Sequence, residues 1–211
     1  MPTIEERIKS GIQYRDMQLR AADQAASMIV EGYATTYNQP YLLWGDGEEE
    51  LWEEIDARAC DHADMSDVIF QVNHEGRVFA RTRNNTLTIG SDAVGLHTLA
   101  DLTNSDGGPG VYSDIKGGYL DRMSWAFTVK NDKWESYTQT RDGKEIRVHK
   151  RTILEVGKVY DVSVVSIPAN DFTSISARSL VDGIRAKEAA EAAAAVKRSS
   201  QIHKIKILLE V

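Results

Sequence analysis

The stretch LDRMSWAFTV, Leu120 to Val129, decides how the rest of the chain is read. With the two-residue period of a strand, Met123, Trp125, Phe127 and Val129 share one face, and Ser124, Ala126 and Thr128 share the other. A hydroxyl therefore stands among small neighbours, backed by a wall of large apolar side chains. Most strand serines are inert, so the meaning of Ser124 depends on what other strands bring to it.

Two do. In Asp67 to Glu75, DVIFQVNHE, the residues Val68, Phe70 and Val72 alternate on an apolar face, and the next residue in that phase is His74. An imidazole at the end of such a stripe is partly desolvated yet within reach of an opening, which suits a general base. In Val159 to Pro168, VYDVSVVSIP, Asp161 interrupts a β-branched run. A carboxylate buried there requires a partner, because burying it alone is costly. A hydroxyl, an imidazole and a carboxylate are the parts of a nucleophile, its base and the group that orients the base.

The order of NH at 73–74, GYLDRMSWAF about fifty residues on, and YDVSVVSIPAN near the end of the core resembles the prohead proteases of tailed phages. EGYATTYNQPY (31–41), WEEIDARAC (52–60) and RTRNNTLTIGSDAVGL (81–96) extend the likeness over roughly residues 12–178. Those proteins are capsid-maturation serine proteases with a fold similar to herpesvirus assemblin. The resemblance implies a mainly β, α+β fold: a closed barrel of about seven strands with flanking helices. It implies a serine endopeptidase with Ser124, His74 and Asp161 as catalytic residues. Its substrates would be the scaffolding segment of the capsid protein and the protease itself, cleaved inside the procapsid in the bacterial cytoplasm. It also implies self-association as a dimer. Two positions depart from the family pattern. Asp161 stands where the family usually has glutamate before Val-Ser, leaving Glu155 as the reserve candidate for the orienting carboxylate. Ser124-Trp125-Ala126-Phe127 stands where SFGF is common, and the alternation survives. The competing reading is a non-catalytic β-barrel module serving as a capsid scaffold or assembly partner.

Length and composition agree with one domain. A chain of 211 residues buries one good core, and its 42% hydrophobic and 27% charged content is globular. The net charge of −7 offers no basic face for nucleic acid, and there is no run apolar enough to suggest a membrane span. The lone Cys60 cannot form an internal disulfide and reads as a small core residue rather than a nucleophile. Asp56, Cys60, Asp61, His62 and Asp64 lie close together without a recognised ligand spacing, so neither metal nor cofactor is expected.

Along the chain, Gln18 to Met28 favours helix by propensity, and Met28 to Tyr37 favours strand. The acids Asp46, Glu48, Glu49, Glu50, Glu53 and Glu54 read as a solvated approach to a strand at Leu51 to Ile55. Asn84-Asn85 predicts a tight hairpin between Arg77–Arg83 and Thr86–Ile89, with His97 on the surface of the next strand. Thr103 to Gly110 is a loop expected beside the site, before a short helix over Val111 to Lys116. Lys130-Asn131-Asp132 predicts a turn, and Asp142-Gly143 a hairpin tip. Residues 1–178 form the expected protease domain. Residues 179–211 form an alanine-rich helical tail, a targeting or self-cleaved segment with Asp182 as cap. Over residues 186–211 five bases face three acids, giving +2, opposite in sign to the body.

Overall fold

The computed structural model describes residues 3–21, 27–166 and 180–198. Among the described residues the fold is mainly β, with ten strands and a few helices. Its spine is a hairpin of two very long strands, β9 (Arg122–Arg141) and β10 (Lys144–Val165), closed by Asp142 and Gly143. Both turn residues have positive φ, 52° and 76°. A two-residue loop with that geometry matches the right-handed twist of the flanking strands, which is why the Asp-Gly pair sits there.

One edge of β10 pairs antiparallel with β9 along its length. The other edge takes β4 (Glu49–Ile55) in parallel at Arg147–Ile153, and then β5 (Ile69–Val72) in parallel at Asp161–Val164. Between the two, residues 56–64 run along the same edge, bonded through Asp56 N to Ile153 O, Val156 N to Ala59 O and Asp64 N to Gly157 O. The segment from β4 to β5 is thus one continuous companion of β10. Beyond β4 lies β3 (Tyr41–Gly45), and β5 is followed by its hairpin partner β6 (Glu75–Arg81). Beyond β9 lie β1 (Gln13–Ala21), β2 (Ile29–Thr36), β8 (Gly95–Asp101) and β7 (Leu87–Ser91), in that order.

No sheet closes among the described residues, so the expected closed barrel is corrected to a wrapped, open sheet. The opening falls between β6 and β7, where the sequence predicted a hairpin. Thr82–Asn84 instead form a 3-10 turn, with Asn85 at φ 60°, and the strands on either side pair elsewhere, β6 with β5 and β7 with β8. The strands still enclose a main core, with Val30, Phe70, Leu96, Met123, Trp125, Phe127, Val162 and Val164 all fully buried. At about 1.5–3 kcal/mol for each large apolar side chain, this burial dominates the stability of the domain. The alternation read from Leu120–Val129 holds, and Trp125 and Phe127 stack on the core face with ring centroids 3.8 Å apart.

Several local expectations are corrected. Gln18–Ala21 is strand, not helix, because pairing with β9 and β2 overrides propensity; residues 22–26 lie outside the described residues. Lys130-Asn131-Asp132 does not turn the chain. β9 passes straight through, and bulges in β10 around Glu155, Val156 and Lys158 absorb the irregularity. The acids of β4 are not all solvated, since Leu51, Glu53 and Ile55 share the inward face and all three are fully buried. Glu53 accepts from Arg15 (2.5 and 2.8 Å), Arg151 (3.1 Å) and Tyr41 (2.7 Å), and Arg151 also reaches Asp132 at 2.7 Å. Burial pushes the Glu53 carboxyl up, but the two guanidinium groups and the Tyr41 hydroxyl outweigh it and hold it below its ordinary value.

Among the described residues there are three α-helices: α1 (Ile4–Lys9), α2 (Gly108–Lys116) and α3 (residues 180–198). The first residue of α2 must be glycine, because a Cβ on Gly108 would lie 2.0 Å from the Leu102 carbonyl. Asp182 lies within α3 rather than capping it. The start of α3 buries more than its alanines implied: Val181 packs with Leu51, Trp44 and Trp134, and Arg185 pairs with Glu49 at 2.7 Å. Residues 186–198 are mostly exposed, and 199–211 lie outside the described residues.

Candidate active site

The bulge between Val159 and Asp161 decides which way the end of β10 faces. After it, Val162 and Val164 point into the core, so Asp161 and Ser163 take the opposite face. Asp161 lies across from Ala126, and Ser163 across from Ser124. On the other side of β9, β1 sets Tyr14 opposite Ala126 and Asp16 opposite Ser124. Directly opposed residues of paired strands share a face. Ser124, Ser163, Asp161 and Tyr14 therefore meet on the side of the sheet away from Trp125 and Phe127.

His74 arrives differently from the expectation. The β5 stripe ends at Val72, which pairs with Glu75, and Asn73 and His74 form the two-residue turn between β5 and β6. Their φ values are 53° and 59°, the left-handed pair that such a turn demands. Asparagine and histidine tolerate this region better than most residues, but it still costs energy, and such conformations persist where the surroundings hold them. Asn73 N donates to Val164 O (2.9 Å), and its side-chain oxygen accepts from Ser166 N (3.0 Å), which ties the turn to the end of β10.

From that turn the imidazole lies between the other two groups. His74 Nδ1 is 2.6 Å from Asp161 Oδ1, and Nε2 is 2.8 Å from Ser124 Oγ. Ser163 Oγ donates to the same Asp161 oxygen at 2.8 Å. The Tyr14 ring meets the imidazole edge-on, with centroids 4.5 Å apart, and burial together with the Asp161 carboxylate raises its phenol above the usual value. Ser124 is fully buried and His74 is 5% exposed, so the hydroxyl and the imidazole meet largely shielded from water. With Nδ1 donating to the carboxylate, Nε2 is left as the lone-pair nitrogen facing the serine, the arrangement a proton-accepting base requires.

A family model described as caudovirus prohead serine protease matches residues 15–186. The chain belongs to that family. No curated protein and no solved structure matches it. Membership makes it a serine protease of phage capsid maturation, acting in the procapsid within the host.

Other residues weighed in the sequence lie elsewhere. Glu155 sits at a bulge, paired with Lys130 at 2.5 Å, in a surface depression with Asp56, Arg58, Asp61 and His62. Cys60 is buried beside Tyr37, and burial pushes its thiol up to about 11, which makes it a poor nucleophile at neutral pH. His97 pairs with Glu31 at 2.8 Å on β8. Asp61 and Asp64 pair with Arg58 and Lys158, and among the described residues no group of three or more metal-ligating side chains comes together. The loop before α2 is joined to β6 through Arg77 and Asp106 at 3.2 Å. Among the described residues, no helix is long and apolar enough to cross a membrane. Sequence reasoning missed Ser163 and Tyr14. The phase of β10 carries the signal for Ser163, since a residue two along from a buried aspartate shares its face.

Proposed function

We propose that Ser124, His74 and Asp161 form the catalytic triad of this protease, and that it cleaves the scaffolding segment of the capsid protein, and itself, inside the procapsid. The observation that carries the reading is the continuous path from Asp161 Oδ1 through both ring nitrogens of His74 to Ser124 Oγ, in a chain of this family. As Ser124 Oγ attacks the peptide carbonyl, its proton passes to His74 Nε2 and Asp161 stabilises the imidazolium that forms. The imidazolium then gives that proton to the departing amine, leaving an acyl-serine. Water, deprotonated by the same nitrogen, releases the new carboxyl terminus and restores the hydroxyl. Ser163 donates to the same carboxylate oxygen and so helps hold Asp161 in line with the imidazole.

The test is intact mass spectrometry of the chain and of Ser124→Ala, each incubated with the capsid protein of the same phage. Fragments that require Ser124 are expected, and their masses give the cleavage sites. A folded chain that yields no fragments would refute the reading and favour a scaffold module.

A further inference from the structure

The helix α1 precedes residues 15–186, the part matched by the family, yet one of its side chains reaches the catalytic turn. Arg7 Nη1 donates to the backbone carbonyl of His74 at 3.2 Å, across 67 positions of sequence. The carbonyl it holds belongs to the residue whose φ is 59° and whose ring bridges Asp161 and Ser124. Asn73 fastens the turn to β10 on one side. Arg7 fastens it on the other.

The surroundings of Arg7 strengthen this geometry. Its guanidinium lies beside the Tyr14 phenol, opposing the rise that burial and Asp161 impose there, and Tyr14 in turn packs edge-on against the imidazole. Arg7, Ile12, Tyr14, Ala126, Tyr160 and Asp161 line a cleft of about 340 Å³ behind the carboxylate. The helix itself buries none of its six residues. A capping box between Thr3 and Glu6 sets its shape, so its hold on the domain is concentrated in few contacts, and Arg7 is the one that meets the site.

We propose that Arg7 is a positioning residue. By clamping the His74 carbonyl it keeps the left-handed turn, and with it the imidazole, aligned between Asp161 and Ser124. An N-terminal helix outside the family-matched segment then sets the fraction of molecules with a competent base. This rests on the triad reading above.

The experiment compares the full chain with Arg7→Ala, Arg7→Lys and Lys9→Ala. It follows the rate at which a fluorophosphonate labels Ser124, the downfield proton resonance of His74 Nδ1–H, and the melting transition. Loss of a hydrogen bond from a charged donor lowers the Arg7→Ala labelling rate by roughly ten- to a hundredfold. The Nδ1–H resonance broadens or disappears in that variant, while the melting transition stays near the parent because no residue of α1 is fully buried. Arg7→Lys recovers part of the rate, since an ammonium can also donate to the carbonyl, and Lys9→Ala matches the parent. Parental labelling and an unchanged resonance in Arg7→Ala overturn the proposal. Loss of its melting transition also overturns it, by making Arg7 a folding residue. A parent chain that is not labelled at Ser124 overturns the triad and the Arg7 role together, and is told apart by that control.

Discussion

Replacing Asp161 by asparagine tests the orienting carboxylate with little change of shape. Asp161 Oδ1 accepts from both His74 Nδ1, at 2.6 Å, and Ser163 Oγ, at 2.8 Å. An asparagine side chain keeps the shape and the place of the imidazole, but its amide N–H can donate to Nδ1 and so favour the tautomer whose Nε2 already carries the proton. What disappears is the negative charge beside the imidazolium formed during attack. Asp161 is almost fully buried, and the charge centres of an ion pair in this contact lie about 4 Å apart, where unit charges attract by about 4 kcal/mol at an effective dielectric of 20. At 1.4 kcal/mol per factor of ten, Asp161→Asn should slow acylation roughly a thousandfold, with the parental melting transition retained. Single-turnover labelling of Ser124 by a fluorophosphonate reads this step directly. Glu155→Gln is the matched control: Glu155 is a surface carboxylate paired with Lys130, and its loss should leave the rate near the parental value. A loss of less than tenfold in a folded Asp161→Asn protein, or a large loss in Glu155→Gln, would refute the assignment of Asp161.

Two further predictions concern the frame around the site. Glu53 is fully buried between Arg15 and Arg151, so Glu53→Gln takes the counter-charge from Arg15 and leaves Arg151 with Asp132 alone, and should cost about 3–5 kcal/mol in urea unfolding. Its carboxyl is held below the ordinary 4.5, so the unfolded chain takes up that proton first as pH falls. The stability it contributes is therefore complete above about pH 4.5 and lost below it, a component of acid unfolding that Glu53→Gln should lack. His149 is fully buried at the seat of α3, with Nδ1 bonded to Ser136 Oγ at 2.8 Å. Burial pushes its pKa below 6.5; Glu49 and Glu188 oppose that shift, and Arg147 and Arg185 reinforce it. As pH drops below 6.5 the unfolded chain protonates before the folded one, so the protection factors of residues 180–191, corrected for intrinsic exchange, should fall from pH 7 to pH 5.5, and His149→Gln should flatten that dependence.

The sequence exposes the parts of this site more readily than the reasons they meet. Ser124 is legible because a strand buried on one face writes its alternation into Met123, Trp125 and Phe127. His74 was reached through the phase of β5, but the stripe stops at Val72 and a left-handed turn delivers the ring. Turn and strand both carry the chain to a similar point, so His74 comes beside Ser124 and Asp161 from a turn and not from the strand its phase suggested. Glu53 was hidden by its acidic neighbours, although its phase with Leu51 and Ile55 marked it as inward-facing. The bulge before Asp161 and the reach of Arg7 leave no comparable trace. A bulge depends on which residue of the partner strand is skipped, and a contact across 67 positions depends on the whole sheet being wound. The bulge turns Asp161 to the side of Ser124, and β5, laid parallel on the same stretch of β10, hands His74 to both. The long β10 spine is therefore what gathers a strand serine, a turn histidine and a carboxylate of its own into one place.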